Sequence, residues 1–294
     1  MMIKSALLNV FLFTLFSWFM PAHVYAQLER KTADIDESVS LTFMAPRNIN
    51  LYTVESLSKG ELHYSILHTF GPVSSGGRNL FGIDAGANVR FSFEYGVTKR
   101  LSLGLGRSSL DKNIDINSRI ALLRQNPEKG IPVSVSFVPS AGINTVDPDF
   151  LPDNYVLTDR LNYGFSLPVA RKFNDKLSLQ LSPMLVHFNR VGPELNIADQ
   201  EANNYYSVGF AGRYKIKPRT ALSLQYIPPL TDADNLDANL AVGIDIETGG
   251  HVFQMFFTTS RALNDPYLIA GDNGNFFARE FRFGFNVNRL FQLR

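Results

Sequence analysis

The sequence contains no cysteine, which excludes disulfide bonds, thiolate metal sites and lipid attachment at a cysteine. Its single tryptophan is Trp18, so aromatic surface elsewhere must come from the 11 tyrosines and 24 phenylalanines. An excess of one charge is also lacking, because 28 Lys and Arg residues are balanced by 27 Asp and Glu residues. This near-neutral composition gives no reason to expect a nucleic acid as partner.

Long apolar runs occur only at the beginning of the chain. Lys4 precedes an apolar stretch that ends near Met20, and Val24-Tyr25-Ala26 offers small or permissive residues before a cleavage site at Gln27. This arrangement predicts a cleaved secretory signal peptide at residues 1–26. An anchoring helix is the alternative, but the stretch is shorter than the ~20 residues that a bilayer span requires. Because no later stretch approaches about 18 apolar residues, no transmembrane helix is predicted after it.

Residues 239–260 show the pattern that most of the remaining chain repeats. Apolar residues alternate with small or charged ones; the apolar members of the first half are Leu240, Val242, Ile244 and Ile246. Thr248-Gly249-Gly250 follows with residues that tolerate positive φ, and a second alternating stretch begins at His251. The pattern predicts two antiparallel strands joined by a tight turn, each with one apolar face.

About twelve such stretches follow residue 60, and their length of about ten residues is typical of tilted membrane strands. They lie near residues 61–70, 86–97, 100–109, 114–123, 131–143, 158–172, 176–190, 204–216, 220–229, 238–247, 251–260 and 279–289. Connections after even-numbered strands are short, whereas most of the others are long and polar. Short periplasmic turns that alternate with longer outer loops are typical of an outer-membrane β-barrel.

A secreted β-sandwich is the alternative, because it would bury the same apolar face. The opposite face decides between them, since it is rich in glycine and serine, as the crowded interior of a closed barrel requires. We therefore predict an all-β protein, a transmembrane antiparallel up-and-down barrel at residues 60–294, in the outer membrane of a Gram-negative bacterium. Outer-membrane lipid is its expected partner, with tyrosine and phenylalanine at the interfaces.

Residues 27–59 are the least regular part of the chain and mix charged residues with a short apolar run. We interpret them as a periplasmic lead-in, with a plug inside the barrel as the alternative.

The polar face of the strands supplies eleven candidate lumen-lining residues: Glu61, His63, Arg90, Glu94, Asp115, Arg119, Arg213, Lys215, Asp245, Glu247 and Arg282. Charges of both signs favour ion pairs that neutralise one another inside a narrow barrel, rather than a ring of one sign that would select ions. A lumen that binds substrate is the alternative. About twelve strands lie between a filled barrel and a wide channel, and permit a thin pore.

Two positions break the alternation. Arg107 shares the lipid face of Leu103 and Leu105, so we predict a bulge at Gly104 or Gly106 that turns it inward, with contact to a lipid phosphate as the alternative. A similar slip is predicted at Pro183, before His187.

Signals for chemistry are weak, and neither catalytic, cofactor-binding nor metal-binding residues are assigned. His63-Tyr64-Ser65 has the spacing of a lipid-hydrolase pair, but both side chains would face the lumen, and no orienting residue can be assigned. The acidic stretches around Asp232, Asp234 and Asp237 and at Asp272 resemble calcium ligands, although solvated turns explain them better.

Residues 104–109 (GLGRSS), 169–191 (VARKFNDKLSLQLSPMLVHFNRV) and 239–260 carry a family resemblance, and GIDIETGGHVFQ at 243–254 is its most specific part. The chain from about Thr42 onward resembles a family of predicted outer-membrane β-barrels from Bacteroidota known only as a domain of unknown function. The resemblance implies an outer-membrane barrel and brings no established activity. At Thr69 the sequence departs from the family, where a basic residue is expected.

The sequence therefore favours a narrow passive pore or uptake channel for small polar solutes, and not an enzyme. A barrel without transport, structural or bound to an unidentified periplasmic or surface partner, is the alternative, and a lipid hydrolase is the least favoured.

Overall fold

The computed structural model describes residues 38–198, 201–232 and 236–293. The predicted signal peptide, the first part of the lead-in and Asp234 lie outside the described residues. The main element is a closed antiparallel β-barrel of 12 strands, as the sequence predicted. Within the described residues, no helix is long and apolar enough to cross a bilayer.

A small hairpin, β1 (Arg47–Asn48) and β2 (Leu51–Tyr52), precedes the barrel. The barrel segments are β3 (Glu61–Pro72), β4 (Asn88–Gly96), β5 (Leu101–Ser108), β6 (Ile114–Leu123), β7 (Ser134–Ile143), β8 (Leu161–Ser166), β9 (Val169–Lys172), β10 (Leu177–Phe188), β11 (Asn204–Lys217), β12 (Thr220–Ile227), β13 (Asn239–Thr248), β14 (His251–Thr258) and β15 (Arg282–Gln292).

Antiparallel neighbours pair around the whole ring, and β15 pairs with β3 to close it. Segments β8 and β9 both lie between β7 and β10, so they form one strand that is interrupted near Pro168. Proline has no N–H to donate to a ladder, which explains the break. Closure satisfies the strand edges, which hydrocarbon would otherwise leave without partners at a cost of several kcal/mol each.

The two ends of the barrel differ in their connections. The connections that follow β4, β6, β9, β11 and β13 define the turn end; Gly249 and Gly250, after β13, have φ of 52° and 94°, as the predicted tight turn requires. The opposite, loop end carries the other connections. These contain short 3-10 turns and one helix, α1 (Asp265–Ala270).

Side chains alternate between the outer surface and the lumen. On β4, Phe91 and Phe93 are each 47% exposed, whereas Arg90 and Glu94, on the opposite face, are 0% and 6% exposed. The apolar face is thus the outer surface, as expected of a barrel in lipid and not of a sandwich.

Both predicted breaks in the alternation are wrong. Arg107 pairs with Phe91 on one side and with Ile114 on the other without a shift in register, so it is exposed on the outer surface. The ladder through Pro183 is also continuous, and His187 keeps the outward parity of Leu185. The Pro183 carbonyl still accepts from the Leu167 N–H at 3.0 Å, although proline supplies no N–H in return.

Residues 41–54, called the lumen segment here, lie inside the barrel. Every residue from 42 to 54 is buried. The chain enters and leaves at the turn end: the Val39 N–H donates to the Gln125 carbonyl at 2.7 Å, and the Gly60 N–H donates to the Gly96 carbonyl at 2.8 Å. Between these contacts the chain turns back at Ile49, whose φ of 57° is rare for a β-branched residue.

Above the lumen segment, the loop end is closed by an apolar cap. Its loop residues are Leu195, Ile197, Ala262, Tyr267, Leu268, Ile269 and Ala270, and all are buried. They pack with Phe43 and Leu51 of the lumen segment and with inward side chains such as Phe188, whose ring lies 5.4 Å from that of Tyr267. Burial of each large apolar side chain contributes about 1.5–3 kcal/mol, so this half of the lumen is a dry core.

Candidate functional site in the barrel lumen

Two buried ion pairs connect β4 with β6 across the intervening strand. Arg90 donates to both carboxylate oxygens of Asp115, at 2.5 and 2.7 Å. Arg119 donates to both oxygens of Glu94, at 2.8 and 3.0 Å. Bidentate geometry of this kind offsets part of the cost of burying the charges. Both pairs lie within the wall itself, and each carboxylate takes its counter-ion from a neighbouring part of the wall.

The lumen segment is held chiefly through its backbone. The Gln225 carbonyl oxygen accepts from the N–H groups of Asn50 and Leu51, at 3.0 and 2.9 Å. Gln180, on the other side, accepts from the Val54 N–H at 3.2 Å and donates to the Tyr52 carbonyl at 2.7 Å. These amides satisfy backbone groups that would otherwise be buried without partners.

Four more wall side chains donate to carbonyls of the same segment. Gln254 donates to Arg47 at 3.3 Å, Asn286 to Ile49 at 2.7 Å, Arg213 to Leu41 and Thr42 at 2.7 and 2.9 Å, and Arg119 to Pro46 at 3.2 Å and to Thr53. Polar side chains from much of the barrel circumference therefore converge on one short stretch of main chain.

Arg47 connects the lumen segment to the loop end. Its Nη1 lies 3.4 Å from Oδ1 of Asp265 in α1, and its guanidinium lies 3.7 Å from the centre of the Tyr52 ring. Arg119 approaches the same ring at 5.2 Å. Burial raises the pKa of Asp265 to about 6, against the opposing attraction of Arg47. This pair is the polar contact between the lumen segment and the outer loops.

A cavity of about 10 Å³ lies beside this cluster, lined by Arg47, Tyr52, His63, Arg90 and Glu94 among others. This volume suffices for about one water molecule. The space around the wall ion pairs is thus nearly filled by protein.

The predicted lumen-lining residues fall into three groups. Arg90, Asp115, Glu94 and Arg119 form the two wall ion pairs, and Arg213 binds the lumen segment. His63 contacts Asn288 at 3.2 Å, and Asp245 accepts from the Ser223 hydroxyl at 2.7 Å. The rest lie toward the barrel ends: Glu61, Lys215 and Glu247 at the turn end, and Arg282, which donates to the Thr259 carbonyl at 3.4 Å, at the loop end.

Other residues of the site escaped the sequence analysis. Gln180, Gln225, Gln254 and Asn286 share the inward parity of the predicted residues, so alternation could have identified them had uncharged amides been included. Arg47 and Asp265 lie outside the barrel strands and carry no periodic signal.

His63 and Ser65, which have the spacing of a lipid-hydrolase pair, lie in the same lumen. His63 has an amide partner, Asn288, on the neighbouring strand, but the Ser65 hydroxyl is 2.6 Å from that of Ser92. Both His63 and Ser65 are buried on the lumen side, away from acyl chains. The arrangement holds the wall together and does not present a nucleophile to lipid.

Two smaller predictions concern the loop end. Thr69, where a basic residue was expected, is buried and donates to the Arg261 carbonyl at 2.7 Å. Over the described ranges, no group of three or more His, Cys, Asp or Glu side chains is positioned to hold a metal ion.

The closed barrel and its apolar outer surface define a membrane β-barrel protein. A family model described as a membrane bound beta barrel domain (DUF5777) matches residues 43–291, and the chain belongs to this family. No similar sequence was found among curated proteins.

Among solved structures, the chain is similar to the COG4313 outer membrane channel from Pseudomonas putida F1, with 14% identity, a TM-score of 0.49, and coverage of 81% of this chain and 98% of that one. It is also similar to the NanC porin, with 8% identity, a TM-score of 0.48, and coverage of 79% and 99%. The chain is similar to the KdgM porin as well, with 8% identity, a TM-score of 0.47, and coverage of 80% of this chain and 99% of that one.

Proposed function

We propose that this protein is a gated passive channel for small polar solutes in the outer membrane of a Gram-negative bacterium, with outer-membrane lipid around it. The lumen segment is its gate, and residues 38–40 lead into the gate at the turn end. With the segment in place the lumen is filled, so conduction requires that residues 41–54 leave their position.

The wall ion pairs carry this proposal. Because Arg90 is paired with Asp115 and Arg119 with Glu94, these four charges stay balanced when the lumen segment leaves. Gln180 and Gln225 are uncharged and exchange a backbone partner for water at small net cost, and Arg213 likewise exchanges the Leu41 and Thr42 carbonyls for water. A wall that only held a permanent plug would not need ion pairs that are complete without the plug.

The test is the conductance of refolded protein in a planar lipid bilayer. Arg47→Ala together with Tyr52→Ala removes the contact to Asp265 and the ring on which Arg47 and Arg119 lie, and so loosens the gate without a substitution in the wall. We expect rare openings in the wild type and openings at least about tenfold more frequent in the loosened variant, as the loss of about 1.4 kcal/mol or more from the closed state implies.

A cross-link supplies the matched control. Leu51 and Gly209 face each other closely, since a Cβ added to Gly209 would lie 3.2 Å from the Leu51 methyl groups. Leu51→Cys and Gly209→Cys therefore place two thiols close together in a chain that has no others. Bridging them with a short bifunctional reagent is expected to abolish openings, while the unbridged variant still conducts. Openings that persist after bridging would show that ions do not pass the segment.

A barrel without transport is the second candidate, and the apolar cap favours it. Leu268, Ile269 and their neighbours are buried in loops that close the loop end, in addition to the lumen segment on which they pack. The absence of conductance in both the wild type and the loosened variant would favour this candidate. Folding of both proteins is verified by a change in gel migration on boiling.

A further inference from the structure

The wall holds the lumen segment mainly through main-chain groups, although the Asn48 side chain also donates to the Leu224 carbonyl at 2.9 Å. In the described part of the chain, every hydrogen bond from a barrel-strand side chain to residues 41–54 ends on a main-chain N–H or carbonyl. Main-chain groups are common to all peptides. The same wall atoms would therefore meet equivalent groups in a different peptide that occupied the lumen.

Gln180 and Gln225 make this recognition specific for a peptide backbone. Each carbonyl oxygen accepts from a main-chain N–H, and the Gln180 amide also donates to the Tyr52 carbonyl. An amide that accepts and donates in this manner pairs with a main chain as the edge of a β-strand does. Solutes without an N–H and carbonyl in this spacing would leave some of these groups without a protein partner.

The apolar cluster adds affinity for apolar side chains. Phe43, Leu51 and Val54 extend from the lumen segment into the cluster that contains Met184 and Tyr205. These positions contribute hydrophobic area but impose little sequence requirement, because methionine adapts readily to different neighbours.

We infer that the lumen is a binding site for short peptides that form a turn and carry apolar side chains, and that the lumen segment occupies this site as an internal ligand. The inference rests on the proposed function in one respect, namely that the segment leaves its position. It names the solute class of the channel, which is then a diffusible peptide.

The test measures binding of a fluorescent peptide with the sequence of residues 43–54 to the full-length loosened variant (Arg47→Ala, Tyr52→Ala) in detergent. Three peptides are compared: the native sequence, a permuted sequence with the same apolar spacing, and the native sequence N-methylated at the amides equivalent to Leu51 and Val54. We expect the first two to bind with similar affinity, and the third to bind at least about tenfold more weakly, because two main-chain donors are lost.

Wall variants provide a second, independent measurement. Gln225→Leu and Gln180→Leu, each added to the loosened variant, are expected to weaken binding of the native peptide about tenfold while the boiling-dependent gel shift is retained. Equal binding of the native and N-methylated peptides, or of the glutamine and leucine variants, overturns the inference. A loosened variant that conducts but binds no peptide also overturns it and leaves the channel intact, whereas one that binds peptide without conducting retains the site and removes the channel.

Discussion

Arg90 lies against Gly106 so closely that a Cβ at position 106 would overlap its guanidinium. The two residues are on neighbouring strands, and the space that glycine leaves is the path by which Arg90 crosses β5 to reach Asp115 on β6. Gly106 belongs to the GLGRSS stretch that resembles the family, so a feature first noted as a motif has a definite structural cause.

Gly106→Ala is therefore expected to destabilise the barrel by about 1–3 kcal/mol, because the methyl group displaces a buried arginine that has no free space around it. Urea unfolding of protein folded in lipid vesicles measures the change. Gly212→Ala is the matched control, since its Cβ would meet no atom closer than 3.5 Å, and we expect a change within about 0.5 kcal/mol. Equal effects at both positions would contradict the steric explanation.

Asp115→Asn is expected to cost about 3–5 kcal/mol, because it leaves the Arg90 charge buried without its counter-ion. Replacing both partners, with Arg90→Met and Asp115→Leu, removes both charges and is expected to cost less than the single substitution. The unfolding free energies of the wild type, Asp115→Asn and the double variant in vesicles test both expectations. A double variant less stable than Asp115→Asn would show that the pair stabilises the barrel beyond mutual neutralisation.

Substitutions at Arg107 and Leu105 measure how the cost of an outward-facing arginine depends on its depth in the bilayer. Both are exposed on the outer surface of β5, but Arg107 lies nearer the loop end, where we expect headgroups in place of hydrocarbon. We expect Arg107→Leu to change the unfolding free energy in vesicles by less than about 1 kcal/mol, and Leu105→Arg to cost about 2–4 kcal/mol. Similar costs for the two changes would mean that Arg107 already lies at hydrocarbon depth.

Asp265 predicts a dependence of stability on pH. Its pKa is about 6 in the fold against 3.8 for the free side chain, because burial outweighs the attraction of Arg47 and Arg90, while Asp115 adds repulsion. The protonated form thus favours the folded state, so this contribution is complete below pH 3.8 and is lost as the pH rises through about 6.

Measured from pH 3.5 to pH 7.5, the unfolding free energy of the wild type minus that of Asp265→Asn is expected to fall by roughly 3 kcal/mol. The asparagine variant serves as the reference, because it cannot ionise. A difference that stays constant, or that rises with pH, would assign the opposite sign to the burial of Asp265.

The barrel could be predicted from the sequence because its strands obey one simple rule. Alternating residues such as Leu240 and Ala241 face lipid and lumen respectively, so the period of two alone locates the strands. The inward bulge predicted for Arg107 is wrong because that prediction assumed that the whole strand lies in hydrocarbon. An arginine near a strand end needs no bulge to reach water or a headgroup.

The filling of the lumen was harder to predict, because it depends on contacts that leave no periodic trace. Residues 41–54 form only the short β1–β2 hairpin, and their partners, such as Gln225 and Asn286, look like ordinary inward polar residues. Nothing in local sequence says that an amide on β12 binds a main chain that lies 174 residues earlier. Such pairings become evident only in three dimensions.

Both ends of the lumen segment are attached at the same end of the barrel, near Gln125 and Gly96. Under the proposed function, the lumen segment is a tethered loop that stays close to its site when it leaves. A tether of this length corresponds to a local concentration in the millimolar range, so reclosure would be independent of how much protein is present. A free peptide would have to match that concentration, or bind more tightly than the segment, to hold the proposed channel open.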